Sequence, residues 1–159
     1  MAKTSPTKTE QKLIAALRNG HHRPSEIARI HDIPRSSAFE MTNRLKSAGI
    51  LTPAFLVDFE KVGFPVQMFL ALKTTPGERS KLESFLKDRP EVNTLLKVNT
   101  MFDYHAEAFF RHYKDLQLFI EELETRHAIT DRLMFNAVET IKKEQFLSQT
   151  EHWRCSHDP

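Results

Sequence analysis

A single cysteine, Cys155, among 159 residues leaves no internal disulfide to form and fits a reducing compartment. Four glycines, none clustered, build no loop of the kind that cradles phosphates. No apolar run approaches the roughly 20 residues that span a bilayer, and the opening MAKTSPTKTE lacks the apolar centre of a secretory signal. The protein is therefore expected in the cytoplasm, without a membrane partner. Also missing are a Ser/His/Asp ordering and a carboxylate pair at a workable spacing, so no enzyme is expected. His105, His112 and His127 are scattered along the chain, and His152, Cys155 and His157 lack a fourth ligand. Neither a metal nor a cofactor is expected.

What is present is a globular composition, 40% hydrophobic and 28% charged, with length for two small domains. The net charge of +2 hides a division. Residues 1–50 carry nine Lys/Arg against four acids, a net +5, whereas the remainder is net −3. Such asymmetry points the first part toward a polyanion.

Thr7-Lys8-Thr9-Glu10 reads as a capping box opening a first helix, with Leu13, Ile14, Ala16 and Leu17 inward and Asn19-Gly20 as its stop. Pro24 suits the first position of a second helix, where its missing N–H costs nothing, and Ile27, Ala28 and Ile30 supply that helix's apolar face. The third helix fills the stretch from Pro34 to Gly49. At about 100° per residue, Ala38, Met41, Thr42, Leu45 and Ala48 share one side and Ser36, Glu40, Asn43, Arg44 and Ser47 the other. Two helices joined by a tight turn, the second polar and partly cationic outside, describe a helix-turn-helix.

Beyond Gly49 the periodicity changes. Residues 50–58 are rich in extended-structure formers and predict a strand or strap. Val66–Lys73 is apolar on both faces, as a central strand is. A helix over 78–88, a strand over 91–99 with Val92, Leu96 and Val98 as its apolar residues, a strand over 102–111, a helix over 112–126 and a strand over 131–143 complete a β-α-β-β-α-β order, which is ferredoxin-like. The last residues, 149–159, show no periodicity and are expected to be mobile.

Three local features carry a family resemblance: Ser25-Glu26-Ile27-Ala28 in the second helix, Arg44-Leu45-Lys46-Ser47-Ala48-Gly49-Ile50-Leu51 at the exit of the third, and Val98-Asn99-Thr100-Met101-Phe102-Asp103-Tyr104. In their order and spacing they resemble the Lrp/AsnC, or feast/famine, regulators over roughly residues 8–146. The resemblance implies an α+β protein: a winged-helix-like helix-turn-helix domain over 1–50, a linker strand and hinge over 51–65, a ferredoxin-like RAM domain over 66–146, and a tail over 147–159. It also implies double-stranded DNA as partner, a homodimer that assembles further into tetramers or octamers, and in many members an amino-acid effector.

Arg35, Ser36, Ser37, Glu40, Asn43 and Arg44 are the candidate DNA contacts. The serines offer hydroxyls to a phosphate, Arg35 reads guanine or a phosphate, and Glu40 accepts from cytosine, with Phe39 on the flank near a thymine methyl. Thr100 and Asp103 are the candidate effector residues, the carboxylate pairing with an α-ammonium. Two departures from the family pattern stand out. Met41 and Asn43 occupy positions where relatives carry charge, and Thr100 replaces a glycine, so a weak or absent amino-acid response is expected. Two other functions fit the architecture, a siroheme-decarboxylase-like enzyme and a nonspecific DNA-compacting assembly protein. The first lacks a His-Asn-Tyr-like element near the third strand, and the basic character lies in the helical domain instead.

Overall fold

The computed structural model describes residues 6–153, apart from His22, Thr100 and the side chain of His152. These residues cluster into two units, one running up to Phe55 and resuming at Ile141, the other Leu56–Thr140.

The first unit holds three helices: α1 (Lys8–Arg18), α2 (Pro24–Ile30) and α3 (Arg35–Ser47). Each boundary follows from local chemistry. The Thr7 hydroxyl accepts from the Glu10 N–H at 3.3 Å, while the Glu10 carboxylate accepts from the Thr7 N–H at 2.9 Å, closing the capping box. Pro24 opens α2, and Gly49, at φ +69°, takes the left-handed turn that ends α3. Leu13, Ile14, Ala16, Ile27 and Leu45 form the core, with Leu17, Met41 and Leu51 packed against it. Full burial of a side chain such as Leu13 or Ile27 stabilises the unit by about 2 kcal/mol. Three expectations change here. Ile30 lies at the last turn of a seven-residue helix and is exposed rather than inward. Ala48 falls beyond the end of α3 and is exposed as well. Among the described residues no strand forms a wing on this unit.

The largest difference is at the C-terminus. The segment from Ile141 belongs to the helical unit, and with it residues 149–153 of the tail expected to be mobile, while 154–159 lie outside the described residues. Arg18 donates to the Glu144 carbonyl at 2.7 Å and pairs with its carboxylate at 2.9 Å. The Asn19 side chain donates to the Ser148 carbonyl at 2.7 Å. A 3₁₀ turn over Thr150–Trp153 then lays Trp153 against the helical core. The absence of periodicity was a poor guide because an aromatic anchor and hydrogen bonds from Arg18 and Asn19, not an amphipathic stripe, hold the segment.

The second unit is a four-stranded antiparallel sheet of order β2-β3-β1-β4, built from β1 (Val66–Thr74), β2 (Val92–Lys97), β3 (Tyr104–Phe110) and β4 (Ile129–Asn136). Helices α4 (Arg79–Asp88) and α5 (Tyr113–Arg126) cover one face. Leu70, Leu72, Tyr104, Ala106, Ala108 and Phe110 meet Leu82, Leu86, Leu116, Phe119 and Leu123 there. As its two-sided apolarity implies, β1 is central.

The other face keeps an apolar row in solvent. Phe69 and Phe135 stack at 5.3 Å between centroids, with Leu133 and Leu96 exposed beside them. Amid these, the Glu107 carboxylate accepts from Gln67 at 2.7 Å, Asn93 at 2.8 Å and Thr94 at 2.9 Å.

Two strands differ from expectation. The last one stops at Asn136 rather than running to Lys143: Asn136 pairs with Met68, the Ala137 N–H still donates to the Gln67 carbonyl at 3.1 Å, and two residues before Gln67 stands Pro65, which has no N–H to continue the ladder. In β2 a register shift between Val92 and Thr94 turns Leu95 to the core and leaves Leu96 exposed. Residues 51–58 form no strand, and Leu56 and Val57 are exposed.

His127, between α5 and β4, packs against Phe85 with ring centroids 4.7 Å apart and planes tilted by 53°, and both its ring nitrogens are buried with no hydrogen-bond partner among the described residues. Burial pushes its pKa below the ordinary histidine value, with the charges of Glu78, Arg126, Lys81 and Glu122 adding smaller, mixed effects. The unfolded chain therefore takes up a proton at a pH where the folded ring still resists it, and folding stability declines as pH drops below about 6.5. Urea denaturation at pH 7.5 and pH 5 should show this decline in the parent and a smaller one in His127→Phe. Equal pH dependence in the two proteins would dismiss the assignment.

Candidate nucleic-acid interface

Helix α3 presents its outer side as the helical period dictates. Ala38, Thr42 and Leu45 are buried, and Met41 packs against the core. Of the two positions where charge was looked for, Met41 is therefore an inward one, and Asn43 is not. Ser36, Glu40 and Asn43 are exposed on the opposite side, and Ser37 is half-buried at its edge. Arg35, Phe39 and Lys46 fall on one flank and Arg44 on the other.

The two arginines of α3 have different surroundings. Arg44 reaches α1 and pairs with the Glu10 carboxylate, whose side chain is only 5% exposed. Burial raises the Glu10 pKa, but hydrogen bonds from the Thr7 N–H, Arg44 and the Thr7 hydroxyl outweigh it, and the net shift is downward. A cation paired in this way ties two helices together. Arg35 instead lines an open groove with Gly20, Arg23, Ser25, Glu26 and Arg29. The one carboxylate in that groove, Glu26, stands 3.4 Å from His21 Nδ1. Three guanidinium groups from α2, α3 and the turn before α2 thus converge on one anion-attracting surface. Arg23 and Arg29 were not singled out in the sequence, although both contribute to the +5 of residues 1–50.

In the second unit Asp103 is fully engaged. One oxygen pairs with Arg79 at 2.8 Å and the other accepts from the Thr74 N–H at 3.0 Å. Its neighbour Tyr104 is buried, with its hydroxyl 3.1 Å from the Arg79 carbonyl and 3.0 Å from Glu83, and burial together with that carboxylate raises its pKa. The Asp-Tyr pair therefore brackets the end of β1 and the start of α4. Thr100 lies outside the described residues. Cys155 and His157 do too, and among the described residues no three His, Cys, Asp or Glu side chains gather to hold a metal. Among the same residues no helix is long and apolar enough to cross a membrane.

No protein-family model matches the chain. It is 29% identical over 99 residues to an uncharacterised HTH-type transcriptional regulator of Pyrococcus abyssi, a match that covers 62% of this chain and 63% of that one. The chain thus spans somewhat under two thirds of the length of that curated relative. Among solved structures, it superposes on a transcriptional regulator of Neisseria meningitidis in complex with L-Met, at TM-score 0.79 and 22% identity, covering 87% of this chain and 94% of that one. Escherichia coli AsnC gives TM-score 0.75 and 16% identity over 88% and 97%. The fold is that of the Lrp/AsnC regulators. In Lrp/AsnC terms, the α3 surface and the arginine groove lie on the helix-turn-helix, and the Asp103-Tyr104 bracket lies in the RAM domain.

Proposed function

We propose that the chain is a sequence-specific double-stranded DNA-binding transcriptional regulator of the Lrp/AsnC type, acting as a homodimer or a higher assembly such as a tetramer or octamer. The observation that carries this reading is the continuity of the exposed α3 surface, Arg35, Ser36, Glu40 and Asn43 with Ser37 half-buried at its edge, with the groove of Arg23 and Arg29. A surface of this kind combines donors and an acceptor for base edges with cations for phosphates. Arg44 contributes by holding α3 on α1, its guanidinium committed to Glu10. The open sheet face of Phe69, Leu133 and Phe135 is apolar enough to pair with a second copy, and pairing sets two readers against two half-sites.

The RAM domain's amino-acid response is weak or absent, because an ammonium group arriving at Asp103 would have to displace Arg79 and the Thr74 N–H. Selection of bound sequences from random duplex DNA tests the main reading: a shared motif is expected among the recovered duplexes. Recovery without any motif, with affinity set by salt alone, would refute sequence-specific reading and leave a compacting protein.

A further inference from the structure

Phe39 is 60% exposed, and with Ile30 it is one of two large apolar side chains left in solvent on the three helices of the first unit. It does not belong to the core, whose α3 members are Ala38, Met41, Thr42 and Leu45. Its position is informative. One turn before it stands Arg35, one turn after it Asn43, and Lys46 lies on the same flank. The ring is thus set among two cations and an amide, on the side of α3 that continues into the Arg23, Arg29 and Arg35 groove. A partner protein surface covering such a ring would have to match that charge, whereas a DNA major groove supplies phosphates at its walls and apolar methyl groups on its floor.

We propose that Phe39 is a specificity-determining residue that reads the 5-methyl group of a pyrimidine in the major groove. This rests on the DNA reading above. Lys46, on the same flank, holds the backbone beside it, which fixes the depth of the ring, and the methyl is buried against the ring face on binding. The chemistry is shared by thymine and 5-methylcytosine, and both are outcomes the test separates. The methyl contributes about fourfold in affinity at each half-site, the value of one buried carbon group.

The experiment uses the full-length protein and the duplexes recovered by selection from random DNA. Each thymine is replaced singly by deoxyuridine, which removes the methyl and keeps the pairing. Binding is compared for the parent, Phe39→Ala and Phe39→Leu, with thermal melting to check the fold, which an exposed position leaves intact. The parent is expected to bind about fourfold more weakly at one deoxyuridine position per half-site. Phe39→Ala should bind thymine and uracil equally there, and Phe39→Leu should retain part of the discrimination. In a second arm, 5-methylcytosine in place of thymine, with its guanine partner, restores affinity if the methyl alone is read and fails to if thymine's other groups are read as well. A parent indifferent to deoxyuridine at every position, or a Phe39→Ala protein that keeps the full penalty, would overturn the proposal while DNA binding itself stands. Failure to recover any enriched duplex would overturn the DNA reading, and the role of Phe39 with it.

Discussion

Replacing Arg35 with alanine is expected to weaken binding to a selected duplex by about 1–3 kcal/mol if it reads a base, or to lower the salt slope by about one if it holds a phosphate, with the melting temperature unchanged in either case. Arg44→Ala is expected to behave oppositely. Its cation is 64% exposed at the side chain, but its partner Glu10 is nearly buried, so removal leaves a carboxylate short of an acceptor's due. The cost to stability is about 1 kcal/mol, below that of a fully buried pair because Arg44 itself stays largely in water. The loss carries a pH signature. Glu10 has a lowered pKa in the folded protein, so its contribution is present above the ordinary carboxylate value and fades as pH falls through the folded one. Parent and Arg44→Ala should therefore differ at pH 7 and converge in acid. Chemical denaturation across pH, beside fluorescence anisotropy on the duplex, reads both effects. An Arg44→Ala protein that is as stable as the parent and loses DNA would reverse the assignment of the two arginines.

The second large effect is expected far from either arginine. Trp153→Ala should destabilise the helix-turn-helix unit by about 3 kcal/mol, the usual consequence of truncating a large aromatic packed on a core. Arg18→Ala and Asn19→Ala, which release Glu144 and Ser148, should each cost less, about 1 kcal/mol. The ferredoxin-like unit, whose core excludes Trp153, should keep its own transition. Hydrogen exchange resolved by residue would show faster exchange in α1 to α3 alone. Equal acceleration in β1 and β3 would mean that the two units unfold as one and would sink this division of stability.

Much of the fold is legible in the sequence because it is written in local chemistry. The capping box of Thr7 and Glu10, the opening of α2 at Pro24, the stops at Gly20 and Gly49 and the two-sided apolarity of β1 each depend on residues close together in the chain. What escaped reading depends on partners far apart. The exposure of Leu96 follows from a bulge in β2 that one strand's pattern does not announce. The early end of β4 is set by Pro65, some seventy residues upstream of it. At the candidate interface, the helical period gave the exposed face of α3 correctly. It could not separate Arg35, which joins a groove, from Arg44, which turns to Glu10, since each lies at the rim of the same polar arc. Asp103 carried the same ambiguity: only the positions of Arg79 and the Thr74 N–H make its carboxylate a bracket.

The anchoring of the segment around Trp153 has a consequence for how the protein comes into being. The helix-turn-helix is encoded at the beginning of the chain, yet contacts that complete it span 126 residues from Arg18 to Glu144 and 129 from Asn19 to Ser148. During synthesis α1, α2 and α3 emerge first and wait, with the side of their core that Trp153 covers open to water, while the sheet unit is made and folds behind them. The helical unit is in this sense the last part of the described chain to be finished, and a nascent chain lacking its final described turn carries three helices that are present but not yet closed.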